Sequence, residues 1–395
     1  MTLYKLDNVI QNYAWGSNSS IGSLFGIANP NNEPQAEIWM GVHPNGCSKV
    51  AESGQLLSEL IQQDIERLLG EYTAYRFGDL PYLFKVLSAQ TPLSIQVHPN
   101  KRKSEVGYAR ENDQGIELNA SNRNYKDANH KPEMVYALTF FKAMNGFRPI
   151  EQIVALFKEI DIPTLAIDVA LLESEQTSQS LQTFFKTIMS LEGKRKEAAL
   201  NELYAAYGRP AKTFIGREAL AYSADFRTYY KDDIGLFAPL LLNTIELAPG
   251  EAMYLHAETP HAYVYGTALE IMANSDNVLR AGLTPKYIDV SELINNTLFK
   301  SIAPETLKLS PTMKDGKLSY PIPVDDFGFD ILFSEVDPKT QYVRGAEIVF
   351  CVEGEVTITD RQKQLTLTSG ESVFVANDSK AYQYFGSGTL ARAYN

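Results

Sequence analysis

The chain is predicted to be mainly β, two small antiparallel jelly-roll barrels with a helical insertion. Three observations predict it: short strand-like runs in the N-terminal part, a block with helical periodicity after Pro149, and an internal repeat in the last third. At 395 residues the chain exceeds one ordinary core, so two or three packed units are expected.

Residues 1–149 read as strands separated by turns and form the first part of one barrel. Pro81–Leu87 and Leu93–Val97 are examples, each bounded by Gly, Pro or Asn. The polar stretch Asn112–Asn129 reads as an exposed loop. Residues 150–238 form the helical insertion. Ile153, Leu156, Phe157 and Ile160, then Leu181, Phe184, Phe185 and Ile188, recur at helical spacing. Lys194–Tyr207 is rich in helix formers, and Gly208 with Pro210 stops it. Such a block can serve simply to cover one face of a sheet.

Strand patterning returns after Leu240. Residues 239–305 are expected to complete the first barrel, and 306–395 to form a second. Leu247-Ala-Pro-Gly-Glu-Ala-Met-Tyr-Leu-His256 matches Leu367-Thr-Ser-Gly-Glu-Ser-Val-Phe-Val-Ala376 in pattern. With Phe350–Ile358 upstream, this reads as strand, Gly-Glu turn, strand, twice over. The first copy runs on to His261, whereas the second contains no imidazole. A metal, if bound, therefore belongs to the first barrel.

Composition narrows the partners. There are 36 Lys and Arg against 48 Asp and Glu, a net charge of −12, which disfavours nucleic acid and anionic membranes. An anionic substrate then needs a local cluster of cations. Two cysteines far apart in sequence indicate no disulfide framework and a reducing cytoplasm. The N-terminus lacks the pattern of a signal peptide, and no apolar run is long enough for a membrane span.

Five histidines limit the chemistry. In Ser94-Ile-Gln96-Val-His98-Pro99, residues two apart on a strand face one side, so Gln96 and His98 offer an amide oxygen and an imidazole to one space. In His130-Lys131-Pro132-Glu133, Pro132 suits a strand entrance and Glu133 supplies a carboxylate. His261 follows Pro260 just past a strand. Gln96, His98, Glu133 and His261 form a nitrogen and oxygen set that zinc accepts in a catalytic site; manganese, iron or cobalt also fit. Arg280, Lys286 and Lys131 are candidates for the cationic cluster, beside the polar turn Asn274–Asn277. His43 and His256 read as structural. Trp15 and Trp39 read as packing anchors, with Trp15 also suited to line a sugar site.

At several of these segments the chain resembles the class I mannose-6-phosphate isomerases. The matching stretches are Asn12-Tyr-Ala-Trp-Gly16, Ala36-Glu-Ile-Trp-Met-Gly41, Pro92–Pro99 and His130-Lys-Pro-Glu133. Leu236–Asn243, Pro260-His-Ala-Tyr263 and Arg280–Lys286 complete the set. The resemblance implies cupin-like barrels, one zinc per chain on Gln96, His98, Glu133 and His261, and an active-site arginine at Arg280. Lys131, Glu270 and Lys286 match polar residues of the family's pocket. Ser94, Lys286 and Trp15 are expected to touch substrate, a sugar phosphate.

Aldose–ketose isomerisation through a cis-enediol needs a base near C2 and a stabiliser for the developing oxyanion. Arg280 suits the stabiliser, Glu270 or Lys131 the base, and His130 is expected to aid ring opening. The expected protein is a cytoplasmic monomer. Two rivals stand: a cupin dioxygenase using iron on His98, His261 and Glu133, and a sugar-phosphate sensor without turnover.

Overall fold

The computed structural model describes residues 2–209 and 211–395, so Pro210 lies outside the described residues. Two ten-stranded antiparallel sheets carry the fold. In the first, Val9–Gln11, Glu37–Met40, Tyr82–Ala89, His261–Ala273, Glu133–Ala137 and Ala252–Leu255 are successive hydrogen-bonded neighbours. The long strand His261–Ala273 organises this sheet. A register shift between Tyr263 and Tyr265 lets its first half pair with Gln96–Val97 and Phe141–Phe147. Its second half pairs with Tyr82–Ala89 and Glu133–Ala137.

The second sheet centres on Gly328–Phe333, Ala381–Tyr394, Glu347–Thr359 and Ser372–Val375. The two sheets pack back to back through one apolar layer. Phe84, Val86, Leu269 and Ile271 meet Phe329, Ile348, Phe350 and Phe374 there. Because strand side chains alternate, this layer dictates what the other face presents. Burying Phe84 and Val86 turns Lys85 inward, burying Leu269 and Ile271 turns Glu270 inward, and burying Ile38 and Met40 turns Glu37 and Trp39 inward.

Both copies of the repeat turn at a glycine in the left-handed region. Gly250 (φ +92°) lies between Leu242–Leu247 and Ala252–Leu255, and Gly370 (φ +88°) between Gln364–Thr368 and Ser372–Val375. Phe350–Ile358 departs from its expected strand–turn–strand form. It lies within the single strand Glu347–Thr359, bulged between Cys351 and Glu353. Gly354 adopts φ +78°, and a Cβ there would meet the Ser387 carbonyl at 2.1 Å, so its glycine serves a bulge and not a turn.

Three expectations are corrected by the N-terminal part. Leu3–Asp7 belongs to the second sheet, pairing with Ser372–Val375, because Tyr4 and Leu6 enter the layer between the sheets while Leu3 enters the second barrel. The part is also not purely strands: Ser20–Phe25, Leu57–Gln63, Ile65–Leu69, Glu71–Phe77 and Lys101–Asp113 are helices. Nor is Asn112–Asn129 simply exposed. Glu111 accepts from the backbone N–H of Asn124 and Tyr125 at 3.1 and 2.9 Å, and Arg123 and Tyr125 are buried.

The insertion holds helices Ile150–Ile160, Ala166–Glu175, Ser178–Met189, Gly193–Tyr207 and Phe214–Tyr229, the last unforeseen in the sequence. Thr177 and Ser180 form a reciprocal cap at the start of the third of these. Ile153, Phe157, Leu181, Phe184, Phe185 and Ile188 share one core with Ile95 and Val97. Sinking Ile95 and Val97 into the helices turns Ser94 and Gln96 toward the barrel interior, where both line a cavity. The helical block therefore orients part of the site as well as covering the barrel.

Candidate active site

The inner face of the first barrel carries polar side chains in a layer otherwise built of Leu87, Val135, Phe141, Ile245 and Leu255. A cavity of about 60 Å³ opens among them, lined by Glu37, Lys85, Gln96, Lys131, Glu133 and Glu270, with Ser94, His261 and Tyr263 also contributing. That holds a cation and a few ligand atoms. A larger cleft of about 1110 Å³ opens on the second barrel, but no histidine lines it. Chemistry favours the smaller one.

His98, Glu133 and His261 converge at its wall, Glu133 and His261 lining it and His98 behind them, with one ligand atom from each within 4.8 Å of the others. His98 Nε2 lies 3.5 Å from Glu133 Oε1, and His261 Nε2 lies 3.3 Å from Glu133 Oε2. Each imidazole is oriented from behind by a carbonyl. His98 Nδ1–H donates to the Asn277 carbonyl at 2.7 Å, and His261 Nδ1–H to the Thr259 carbonyl at 2.9 Å. This assigns the lone pair in both rings to Nε2, the atom facing Glu133. His98 Nε2 is buried with no hydrogen-bond partner among the described residues. An orphaned, aimed lone pair beside a carboxylate and a second imidazole is the arrangement a divalent cation satisfies. Gln96 faces the same cavity, and its Cα lies opposite both His261 and Arg280 in the ladder.

Electrostatics agrees with that reading. Burial holds the His98 pKa down, to about 4, with Lys131 and His261 adding to the effect, so the ring is neutral and free to ligate. Burial opposes ionisation of Glu133, yet Lys131 and His98 keep its carboxyl well below the usual range. Lys131 Nζ lies 3.2 Å from Glu133 Oε1. Burial also lowers the pKa of Arg280, which makes no ion pair or hydrogen bond through its guanidinium among the described residues. Arg280 lies close enough to Lys286 and Lys126 to lower the pKa of each.

Several side chains lie elsewhere. His130 Nε2 is 3.0 Å from both oxygens of Asp326 and does not line the cavity, so it links the site strand to the second unit. Aid to ring opening would require its ring to leave that carboxylate. Trp15 stacks on Tyr13 at 5.8 Å, outside the cavity, and Lys286 is exposed. His256 is exposed, and His43 is buried 3.3 Å from Asp276.

Three lining residues were not picked out from the sequence: Lys85, Glu37 and Tyr263. Tyr263 Oη donates to Glu270 Oε1 at 2.6 Å and lies 3.3 Å from Glu133 Oε2. Lys85 Nζ reaches Glu270 and Glu37, and Trp39 Nε1–H donates to Glu37 at 2.8 Å. A signal existed. Lys85 interrupts the apolar run Tyr82–Ala89, and a lysine amid buried strand residues demands partners.

A barrel whose inner face joins two imidazoles and a carboxylate, with Lys85 and Lys131 lining the same cavity, defines a metal-dependent enzyme of the cupin class acting on an anionic substrate. Three family models match: "Phosphomannose isomerase type I, catalytic domain" over residues 3–150, "Phosphomannose isomerase type I, helical insertion domain" over 160–242, and "Mannose-6-phosphate isomerase, cupin domain" over 316–395. The chain belongs to the type I phosphomannose isomerase family. It is 46% identical to the mannose-6-phosphate isomerase of Salmonella typhimurium, covering 100% of both chains. The human mannose-6-phosphate isomerase is 37% identical over 95% of this chain and 94% of its own. A crystal structure of the Salmonella enzyme bound to fructose 6-phosphate and zinc superposes with a TM-score of 0.94, at 46% identity and full coverage of both chains. No helix among the described residues is long and apolar enough to cross a membrane.

Proposed function

We propose that this chain interconverts mannose 6-phosphate and fructose 6-phosphate in the cavity beside His98, Glu133 and His261, with one zinc ion held by those residues and Gln96. The unpartnered, buried Nε2 of His98 aimed at Glu133 carries the reading. Zinc, when bound, polarises and orients the oxygens at C1 and C2.

The chain's own groups divide the remaining work. Glu270 is the proposed base that moves the proton between C1 and C2. Tyr263 holds its Oε1 and in turn approaches Glu133, which places that carboxylate beside the metal ligands. Lys85 fixes the other oxygen at 2.9 Å. Lys131, ion-paired with Glu133, is the alternative base once its proton is lost. Arg280 is permanently charged and has no ion-pair partner among the described residues, so it stabilises the negative charge of the cis-enediolate. Lys286 and Ser94 are proposed substrate contacts, with the phosphate in the open space beyond the small cavity. Anchoring that end holds C1 and C2 near the ligands.

A coupled assay on mannose 6-phosphate, run before and after chelation, with elemental analysis, tests the reading. The expected result is about one zinc per chain, loss of turnover on chelation and recovery with added zinc. Turnover that survives complete metal removal rejects it. Oxygen uptake with bound iron would indicate the dioxygenase, and sugar-phosphate binding without conversion would indicate a sensor.

A further inference from the structure

We infer that Asn277 is a positioning residue that sets the placement of His98 relative to Glu133 by clamping the segment Lys126–Asn129. The inference rests on the metal assignment above. His98 follows the strand Gln96–Val97, whereas Glu133 opens its own strand after a long stretch without regular structure. Both strands pair with the long strand His261–Ala273, but with opposite halves of it. A second tie joins the two ligand-bearing ends directly.

Asn277 is completely buried, and its side chain is spent on one segment, on its backbone groups and on the Asp127 carboxylate. Its Oδ1 accepts from the N–H of Lys126 at 2.7 Å and of Asp127 at 3.2 Å. Its Nδ2 donates to the carbonyls of Asp127 and Asn129, both at 2.8 Å. Donor and acceptor capacity are both satisfied. Its backbone carbonyl simultaneously accepts from His98 Nδ1–H. One residue thus grips the approach to Glu133 with its side chain and the His98 ring with its main chain.

The neighbours reinforce the grip. Ser275 Oγ donates to Asp127 Oδ1 at 2.9 Å, and the Asp276 N–H donates to Asp127 Oδ2 at 2.8 Å. Asn129 Nδ2 donates to the Asn274 carbonyl at 2.9 Å. The segment then runs straight into His130-Lys131-Pro132-Glu133, so it holds the entrance to a strand whose first residue, Glu133, is paired opposite Leu255 and Met272. Groups that orient a ligand from outside the coordination sphere commonly govern metal affinity by 10–100-fold.

The test uses the full chain: parent, Asn277→Ala, Asp127→Ala and the double variant. Zinc affinity is measured by chelator competition, alongside the melting temperature of the metal-free forms. Each single variant is expected to bind zinc about 10–100-fold more weakly. The double is expected to be little worse than the weaker single, because both remove one clamp. Excess zinc should restore more turnover to the variants than to the parent. Folded variants whose zinc affinity stays within about twofold of the parent overturn the positioning role, whatever their melting temperature. Should Asn277→Ala fail to fold, Asp127→Ala decides by the same criterion. A parent that binds no zinc overturns the metal assignment itself, a separate and recognisable failure.

Discussion

Lys85 Nζ lies 2.9 Å from Glu270 Oε2, and the two residues stand directly opposite each other on neighbouring strands. Glu37 approaches the same ammonium at 3.5 Å from the strand on the other side. Burial works against the charge, but Glu270 and Glu37 outweigh it and hold the lysine pKa above its ordinary value. Lys85 is therefore a fixed cation in the barrel wall that pairs with two buried carboxylates and holds them in place.

Replacing it exposes that dependence. Lys85→Met should destabilise the protein by about 3–5 kcal/mol, the usual cost of leaving buried charges without their partner. Urea denaturation measures it. A loss below about 1 kcal/mol would show that the carboxylates do not depend on this ammonium.

Arg280→Ala separates binding of metal from chemistry. Arg280 borders Gln96 in the ladder yet is no ligand, so zinc content should remain at one per chain. With its charge gone from the enediolate, kcat should fall by about 10²–10³. Elemental analysis and the coupled assay read the two quantities independently, and normal turnover would remove the assigned role.

The second barrel offers a contrast. Arg392 donates to Glu347 at 2.7 and 2.5 Å and to Asp330 at 2.5 Å, all buried. Arg392→Leu should cost about 3–5 kcal/mol in denaturant midpoint analysis. The turnover of each folded molecule should stay at the parent level, because this triad does not line the cavity. A matching fall in kcat would reveal coupling between the barrels.

Acid stability should depend on Asp360. Burial raises its pKa, but bonds from Thr2, the N–H groups of Gln362 and Lys363, and Ser379 prevail and hold it below its ordinary 3.8. A depressed folded pKa means the contribution is fully present above the unfolded value and is lost as pH falls through the folded one. Asp360→Asn should therefore lower stability at neutral pH and flatten the loss between about pH 4 and 3. Urea midpoints across that range check it, and parallel curves for the two proteins would contradict it.

Much of the site was legible because its residue types are scarce. With five histidines, Gln-x-His, His-Lys-Pro-Glu and Pro-His select a small set, and three of its members, His98, Glu133 and His261, do bring their ligand atoms within 4.8 Å of one another. The helical block was legible from its period, apart from Phe214–Tyr229, whose Ala, Ser, Tyr and Arg positions blur the apolar stripe. The short N-terminal helices went unseen because five to seven residues give too little period to recognise. Leu3–Asp7 joining the opposite sheet depends on a partner far away in the chain, which no local pattern encodes.

By itself the sequence determined the chemical inventory: an acidic chain, a nitrogen and oxygen ligand set, one barrel with imidazoles and one without. It also determined element types wherever a period ran long enough. Tertiary structure alone decided that His98 Nε2 would be left bare, that Tyr263 would bridge two carboxylates, and that Asn277 would tie distant ligand segments together. The reason is physical. Residue type and spacing say which groups exist and which way a strand turns them, but distances between remote groups arise only when the sheets close and bury them together.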